Sequence, residues 1–198
     1  MDKYDAGNDP YCYPNTPVLK NKLGITDEKV FEEAERKITE ISIHDVKYSD
    51  PPYGLKYLKN LHATLFFELY DWAGEIRDVD ISKGGTKFCI ALRIVPETEK
   101  LFKQLECEHY LATTFSKHFP MKLAEYYAEF NMIHPFREGN GRVQRLFFEH
   151  LAAYNGYALD WSSISQNEWI KANIDGYHVQ YQSLADIFER VLKIRLNS

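Results

Sequence analysis

The sequence from residue 134 to residue 145 reads His134-Pro135-Phe136-Arg137-Glu138-Gly139-Asn140-Gly141-Arg142-Val143-Gln144-Arg145. Apolar residues repeat at helical spacing before and after this stretch, so it predicts a short loop that joins two helices. Pro135 disfavours α conformation at the preceding residue, so the first helix should end at His134. Glycine supplies the turn before a second helix over residues 140–154. The stretch therefore predicts a helical domain with a glycine-rich loop at its centre.

The loop and the helix start that follows it have the features of an anion site. The first N–H groups of a helix have no partner within the helix and lie at the positive end of its dipole. Gly139 and Gly141 expose those groups, and Asn140 lies between them. Arg142 and Arg145 add two cations three residues apart, where they oppose the helix dipole unless a polyanion lies between them. Arginine also suits bidentate binding of phosphate.

The two remaining polar residues of the loop predict a reaction at the bound polyphosphate. Glu138 is an anion within a site for anions, so we interpret it as a ligand of Mg²⁺, which takes few protein carboxylates and fills its shell with phosphate oxygens and water. His134 titrates near neutral pH and is interpreted as the base that accepts a proton from an attacking hydroxyl.

The rest of the chain is mainly helical. A single domain over residues 1–198 is expected, with an extended, proline-containing arm at residues 1–24. Helices are predicted from residue 26 onward, over residues 55–72, 96–117, 121–133 and 140–154, from residue 165 onward, and over residues 183–195. Asn155-Gly156 should end the helix that follows the loop. With 15% aromatic residues, the core should be rich in aromatic side chains.

The one clear β signal lies at residues 79–90. Apolar and polar residues alternate in Val79-Asp80-Ile81-Ser82, apolar character returns at Phe88-Cys89-Ile90, and Gly84-Gly85 between them is typical of a tight hairpin turn. An isolated hairpin is only marginally stable, so it should pack on the helices. The residues alone leave open whether it has a function or only connects two helices.

Composition limits the class of protein. The net charge of −5 favours no broad attraction to nucleic acid, so direct nucleic-acid binding is not expected. Three scattered cysteines predict no disulfide framework and favour a reducing compartment. The polar N-terminus lacks a secretory signal, and no apolar run approaches the about 18 residues of a membrane helix. We expect a cytoplasmic protein without a membrane contact.

Other site types fit less well. The sequence has no P-loop and no His-Glu-x-x-His zinc motif. Glu106-Cys107-Glu108-His109 contains metal-binding residue types, but adjacent residues point around a helix and do not converge.

The loop resembles the signature H-x-F-x-[DE]-G-N-G-R-x-x-R of the Fic-domain family (filamentation induced by cyclic AMP), and every fixed position is met. The resemblance extends from Asp9-Pro10-Tyr11 and Leu19-Lys20-Asn21 through Asp71-Trp72-Ala73-Gly74 to Trp169-Ile170-Lys171-Ala172-Asn173. It implies the helical Fic fold and protein adenylylation, in which AMP passes from ATP to a hydroxyl of a target protein and pyrophosphate is released.

The resemblance also implies roles for individual residues. His134 deprotonates the target hydroxyl, Glu138 holds Mg²⁺ against the α- and β-phosphates, and Phe136 anchors the loop. Nucleotide and phosphate binding falls to Gly139, Asn140, Gly141, Arg142 and Arg145, with Asn173 near the adenine. The hairpin is similar to the family's flap, which docks the target by main-chain pairing. This target-docking flap comprises Ile81, Ser82, Lys83, Gly84, Gly85, Thr86, Lys87 and Phe88.

Regulation is a further implication. Many Fic proteins carry an inhibitory [ST]-x-x-x-E-[GN] motif whose glutamate pairs with the second motif arginine. The nearest match, Thr64 to Glu68, is followed by Leu69 and lies in a predicted helix. The chain thus resembles the class restrained by a separate small antitoxin, whose glutamate should contact Arg145.

The resemblance to short bacterial Fic toxins suggests a regulator of cell division or DNA topology, with DNA gyrase or topoisomerase IV among the targets. Two alternatives remain. One is phosphotransfer to a protein, as in death-on-curing toxins, which have lysine in place of the second motif glycine. Gly141 disfavours it. The other is a non-catalytic nucleotide-binding module, which the intact His134 and Glu138 disfavour.

Overall fold

The computed structural model describes residues 9–194, and the described chain is mainly helical. Its helices are α1 (Glu28–Ser42), α2 (Leu55–Phe66), α3 (Ile94–Cys107), α4 (Phe119–Ile133), α5 (Asn140–Tyr154), α6 (Gln166–Tyr177) and α7 (Gln182–Val191). Its strands are β1 (Ser82–Lys83), β2 (Thr86–Lys87), β3 (Tyr157–Leu159) and β4 (Leu192–Ile194). The expectation of a mainly α fold with a small hairpin is confirmed. None of the helices within residues 9–194 has the length and apolar character to cross a membrane.

Helix α4 lies at the centre of the fold. It packs against α3, α5, α6 and α7, while α2 packs against α5 from the other side. The core is rich in aromatic side chains, as the composition predicts, and edge-to-face ring pairs join Phe130, Phe147 and Phe148. Such pairs add about 0.5–1.5 kcal/mol each beyond the burial of apolar area. The core thus fixes α4 and α5, the two helices that hold the glycine-rich loop.

Three helix ends differ from the sequence prediction. The helix predicted over residues 96–117 ends at Cys107, because residues 109–111 take positive φ and break the helix. The second helix, predicted over residues 55–72, ends at Phe66, because the following turns bring Leu69 and Tyr70 fully into the core. The last helix, predicted to residue 195, ends at Val191, and β4 then pairs antiparallel with β3. This second small sheet was not predicted.

The predicted hairpin forms, with shorter strands than its apolar pattern suggests. In β1 and β2, Ser82 pairs with Lys87 and Lys83 with Thr86. Gly84 and Gly85 both have positive φ, as a two-residue hairpin turn requires. Outside the strands, the Phe88 N–H donates to the Ile81 carbonyl at 3.3 Å, so the pairing reaches one residue further on each side. We call residues 79–90 the flap.

The described part of the N-terminal arm, residues 9–24, lies against the helices. The Asp9 carboxylate forms an ion pair with Arg137 in the loop, and both side chains are more than 90% buried. Tyr11 packs edge-on against Trp72, and the Lys22 N–H donates to the Leu69 carbonyl. Residues 1–8 of the predicted arm lie outside the described residues.

Candidate active site

The loop between α4 and α5 has the backbone shape that its sequence predicts. Helix α4 ends at Ile133, and His134 takes a left-handed conformation, with φ 46°. Gly139 caps the start of α5 with φ +78°, and a Cβ at this position would come within 2.3 Å of the Phe66 ring. Glycine is therefore required there both by conformation and by space.

Asn140 braces the loop with its side chain. Its Oδ1 accepts the Phe136 N–H at 2.8 Å, and its Nδ2 donates to the Phe136 carbonyl at 2.7 Å. Phe136 itself is fully buried and stacks on the His62 ring. Because the Asn140 side chain is occupied by Phe136, its backbone N–H is the group that can bind a ligand. Within the described chain, neither this group nor the Gly141 N–H makes a hydrogen bond, and both lie at the N-terminus of α5.

His134 lies beneath the flap. Its ring stacks on Phe88 at 3.8 Å between centroids, and its Nδ1 is 2.6 Å from the Asn131 carbonyl. A carbonyl only accepts, so Nδ1 carries the proton and Nε2 carries the lone pair. Burial lowers the pKa of His134 to about 3. The imidazole is therefore neutral at pH 7 and can accept a proton at Nε2.

A buried arginine that sequence reasoning missed joins the flap to the loop. Arg77 is 2% exposed. Its guanidinium donates to the carbonyls of four residues: His134 (2.8 Å), Val79 (2.6 Å), Cys89 (2.5 Å) and Ile133 (3.2 Å). Its backbone N–H donates to Pro135. One side chain thus holds both ends of the flap and the start of the loop together.

A buried histidine, also missed, supports the other end of the loop. The Gly74 N–H donates to Nδ1 of His62 at 2.8 Å, so the proton is on Nε2, which donates to the Glu138 carbonyl at 3.1 Å. Burial lowers the pKa of His62 to about 3, which keeps this tautomer neutral.

The Glu138 side chain lies at the start of α5. Its Oε1 accepts the Gly139 N–H at 2.9 Å and is 3.7 Å from Arg142. Burial first, and then the Glu35 carboxylate, raise the pKa of Glu138. A nearby cation would favour the ionised form of Glu138. In that form the carboxylate could make one coordination bond to a metal ion. No cluster of three or more metal-binding side chains occurs within residues 9–194, so most ligands of a metal would come from a bound nucleotide and water.

The two motif arginines point to different neighbours. Arg142 contacts α1, where it pairs with Glu35 at 2.5 Å and donates to Thr39 at 3.1 Å. Arg145 lies over the rings of Trp161 and Trp169, with its guanidinium carbon 5.5 and 5.1 Å from their centroids. In this structure, therefore, they do not converge on one point.

Asn173 lies on α6, one turn after Trp169. Its Nδ2 donates to the Trp169 carbonyl at 2.8 Å, so its position is linked through this tryptophan to Arg145. Nothing in the described contacts gives Asn173 a ligand, and its role near the adenine stays a prediction.

A cavity of about 540 Å³ opens beside the flap. Its lining comes from the second half of the flap, α3, α4 and Tyr181, and includes Met132 and Ile133, which directly precede His134. A segment bound along the flap thus has space for side chains close to the imidazole.

The chain matches the family model described as Fic/DOC family over residues 52–152. It is 38% identical over 191 residues to "Probable protein adenylyltransferase Fic" of Escherichia coli strain K12, covering 96% of each chain. It is 34% identical to "Protein adenylyltransferase VbhT" of Bartonella schoenbuchensis over 97% of this chain and 41% of that protein.

A solved structure is similar over almost the whole chain. The BepC protein of Bartonella tribocorum, crystallised with bound AMPPNP, superposes with a TM-score of 0.85. The two chains share 27% sequence identity, and the match covers 94% of this chain and 97% of that one.

Proposed function

The chain belongs to the Fic/DOC family, and on this basis we propose that it is a protein adenylyltransferase, which transfers AMP from ATP to a hydroxyl group of a target protein. The relatives that it matches over nearly their full length carry this activity in their names. The observation in this chain that carries the proposal is the neutral His134 imidazole, fixed between the flap and a helix start with unpaired N–H groups.

The proposed reaction uses His134 as the base. The target hydroxyl oxygen attacks the α-phosphorus of ATP while Nε2 of His134 takes the hydroxyl proton. A bond from this oxygen to the α-phosphorus forms, the bond from the α-phosphorus to the bridging oxygen breaks, and pyrophosphate leaves. The hydrogen bond from Nδ1 to the Asn131 carbonyl stabilises the imidazolium produced by this step.

Phosphate binding is assigned to the start of α5. The free N–H groups of Asn140 and Gly141, together with the helix dipole, suit phosphate oxygens. Arg142 and Arg145 are proposed to hold the outer phosphates. Arg142 would do so with the part of its guanidinium that does not pair with Glu35, and Arg145 after its side chain turns from the two tryptophan rings toward the nucleotide. Asn173 is proposed to lie near the adenine.

Mg²⁺ is the proposed metal, with Glu138 as its protein ligand. One carboxylate oxygen beside a phosphate site matches the preference of Mg²⁺ for one or two carboxylates plus phosphate and water. When bound, the metal supplies charge neutralisation at the phosphates. The chain's own contribution is to hold Glu138 in place through the Gly139 N–H and His62.

Docking of the target is assigned to the flap. The short strands at residues 82–87 can extend by pairing with a segment of the target. Phe88 stacks on His134, so a segment bound along the flap presents its hydroxyl beside the base.

Labelled ATP tests the activity. With Mg²⁺, label from the α-position of ATP should appear on a protein target, and label from the γ-position should not. Label from the γ-position only would show phosphotransfer of the death-on-curing type, and no label would leave a nucleotide-binding module. His134→Ala should abolish labelling while AMPPNP still binds, and persistent labelling would remove His134 from its role.

The proposed physiological role is that of a toxin-like regulator of cell division or DNA topology in the cytoplasm, with DNA gyrase or topoisomerase IV as targets. Three free cysteines suit a reducing compartment. A separate antitoxin is proposed to supply a glutamate to Arg145, whose guanidinium lies over the rings of Trp161 and Trp169. A co-encoded small protein should then inhibit labelling, and full labelling in the presence of every such protein would contradict the proposed antitoxin.

A further inference from the structure

Arg142 lies between two carboxylates that come from different parts of the chain. Its Nη2 is 2.5 Å from Oε1 of Glu35 on α1 and 3.7 Å from Oε1 of Glu138 in the loop. Glu35 is therefore the nearer partner, although no feature of the loop sequence predicts this contact. The farther partner is the proposed ligand of Mg²⁺.

Glu35 is held in place for this contact. Tyr70, which is fully buried, donates its hydroxyl proton to the other carboxylate oxygen. Burial raises the pKa of Tyr70, so the phenol keeps this proton. Thr39, one turn further along α1, accepts from Nη1 of Arg142, and the guanidinium lies over the Phe66 ring with 4.6 Å to its centroid. Both ends of the ion pair are thus fixed by neighbours that do not belong to the loop.

Removal of the Glu35 charge would leave the half-buried guanidinium without its near partner. The Arg142 side chain is 30% exposed, and Glu138 would then be its one remaining carboxylate within 4 Å among residues 9–194. Glu138 is four residues earlier and already within 4 Å, so a small side-chain rotation would pair it with Arg142. A carboxylate held in a direct ion pair is a poorer ligand for a metal ion.

We propose that Glu35 is a positioning residue, which holds Arg142 on α1 and thereby leaves the Glu138 carboxylate available to Mg²⁺. This inference rests on the proposed function, in which Glu138 binds the metal. It assigns a part of the metal site to α1, more than 100 residues away from the loop in sequence.

The test measures how much Mg²⁺ improves the binding of AMPPNP. Dissociation constants are determined by calorimetry with Mg²⁺ and with EDTA for the full chain and for Glu35→Gln, which keeps the size of the side chain. Glu33→Gln is the matched control, because Glu33 lies on the same helix but is exposed and pairs with Lys37. A crystal structure of nucleotide-free Glu35→Gln gives the position of Arg142 directly.

The Mg²⁺-dependent gain in affinity should fall about tenfold in Glu35→Gln and stay unchanged in Glu33→Gln. In the double variant Glu35→Gln/Arg142→Gln it should recover, because the competing cation is gone. The crystal structure should show Arg142 in a direct hydrogen bond with Glu138. An undiminished gain in Glu35→Gln, or Arg142 still held on α1, overturns the inference.

Two further results are decisive. If Glu35→Gln binds Mg²⁺ and AMPPNP more tightly than the unchanged chain, then Glu35 competes with phosphate for Arg142 and the inference is wrong. If the unchanged chain gains nothing from Mg²⁺, or Glu138→Gln gains as much, the proposed metal ligand fails and the inference fails with it. Failure at Glu35 alone leaves the metal role of Glu138 intact.

Discussion

Replacement of Arg77 by methionine should destabilise the protein more than almost any other single change. The guanidinium donates four hydrogen bonds to carbonyls, and the side chain is 2% exposed. Methionine fills much of the space but donates nothing. A buried acceptor without a partner costs about 1–3 kcal/mol. Relaxation and water entry reduce the sum, so we expect a loss of about 3–5 kcal/mol in the free energy of unfolding.

Urea unfolding followed by circular dichroism measures this loss. For a chain of 198 residues, about 2–4 °C in Tm accompanies each kcal/mol, so Tm should fall by about 10 °C. Arg93→Met is the control, because Arg93 is exposed and pairs only with Glu97 on the surface. It should change the free energy of unfolding by no more than about 0.5 kcal/mol.

Arg77→Lys separates stability from positioning. Lysine keeps the charge, but its three donors leave from one nitrogen and cannot reproduce the planar fork. We expect hydrogen exchange at residues 82–87 to accelerate and target labelling to slow, while AMPPNP binding changes little. A loss below about 1 kcal/mol in Arg77→Met, or unchanged exchange in the flap of Arg77→Lys, would refute the reasoning.

Three other predictions concern the loop and the arm. Gly139→Ala places a Cβ 2.3 Å from the buried Phe66 ring at a residue with positive φ. It should lower the free energy of unfolding in urea by more than about 2 kcal/mol and abolish AMPPNP binding. Normal binding would contradict this. Asp9→Asn breaks the buried ion pair with Arg137 and should lower the free energy of unfolding by about 3–5 kcal/mol. Glu40→Gln, which breaks an exposed pair with Arg36, is the control and should cost at most about 1 kcal/mol. Equal losses in the two variants would contradict the prediction. The pKa of His134 is lowered to about 3 in the folded state, so the unfolded state binds more protons below about pH 6.5 and stability falls as the pH drops toward 3. Urea titrations at pH 4–6 measure how steeply the free energy of unfolding falls with pH. In His134→Ala this slope should be smaller, by the equivalent of up to one bound proton, and an equal slope would show that His134 is not neutral in the folded state.

The sequence could predict those features that depend on residues close together in the chain. The helix stop just before Pro135, the glycine turn of the flap and the cap at Asn155 all follow from local rules, and the structure has them, with Ile133 as the last residue of α4. The neighbours of the loop depend on which helices meet. Arg77 precedes the loop by about 60 residues and Glu35 by about 100, and neither carries a local signal for its partner.

His62 is an intermediate case. It falls at a buried position of the amphipathic helix α2, where a polar side chain requires a hydrogen-bond partner, so the sequence contained a hint of a structural role. The identity of the partner, the Glu138 carbonyl, required the fold. The pairing of β3 with β4 is similar, since three-residue strands at the ends of helices have too few residues for an alternating pattern.

The remote neighbours bear on how the proposed phosphate site tolerates the Glu138 carboxylate in the loop and the Glu35 carboxylate beside it. A loop has both N–H and C=O groups, and a site for phosphate needs the donors free and the acceptors occupied. Five of the loop carbonyls accept hydrogen bonds from different donors: His134 from the Arg77 side chain, Pro135 from the Arg77 backbone, Phe136 from Asn140, Glu138 from His62, and Gly139 from the first N–H groups of α5.

Two backbone donors at the start of α5 are left over. The N–H groups of Asn140 and Gly141 have no partner within the described residues, and they lie at the positive end of the α5 dipole. On the proposed function, Arg77 and His62 would support phosphate binding without touching the phosphate, because each occupies a loop carbonyl with a hydrogen bond. The polarity of the site is thus set by helix α2 and the segment before the flap as much as by the glycines of the loop itself.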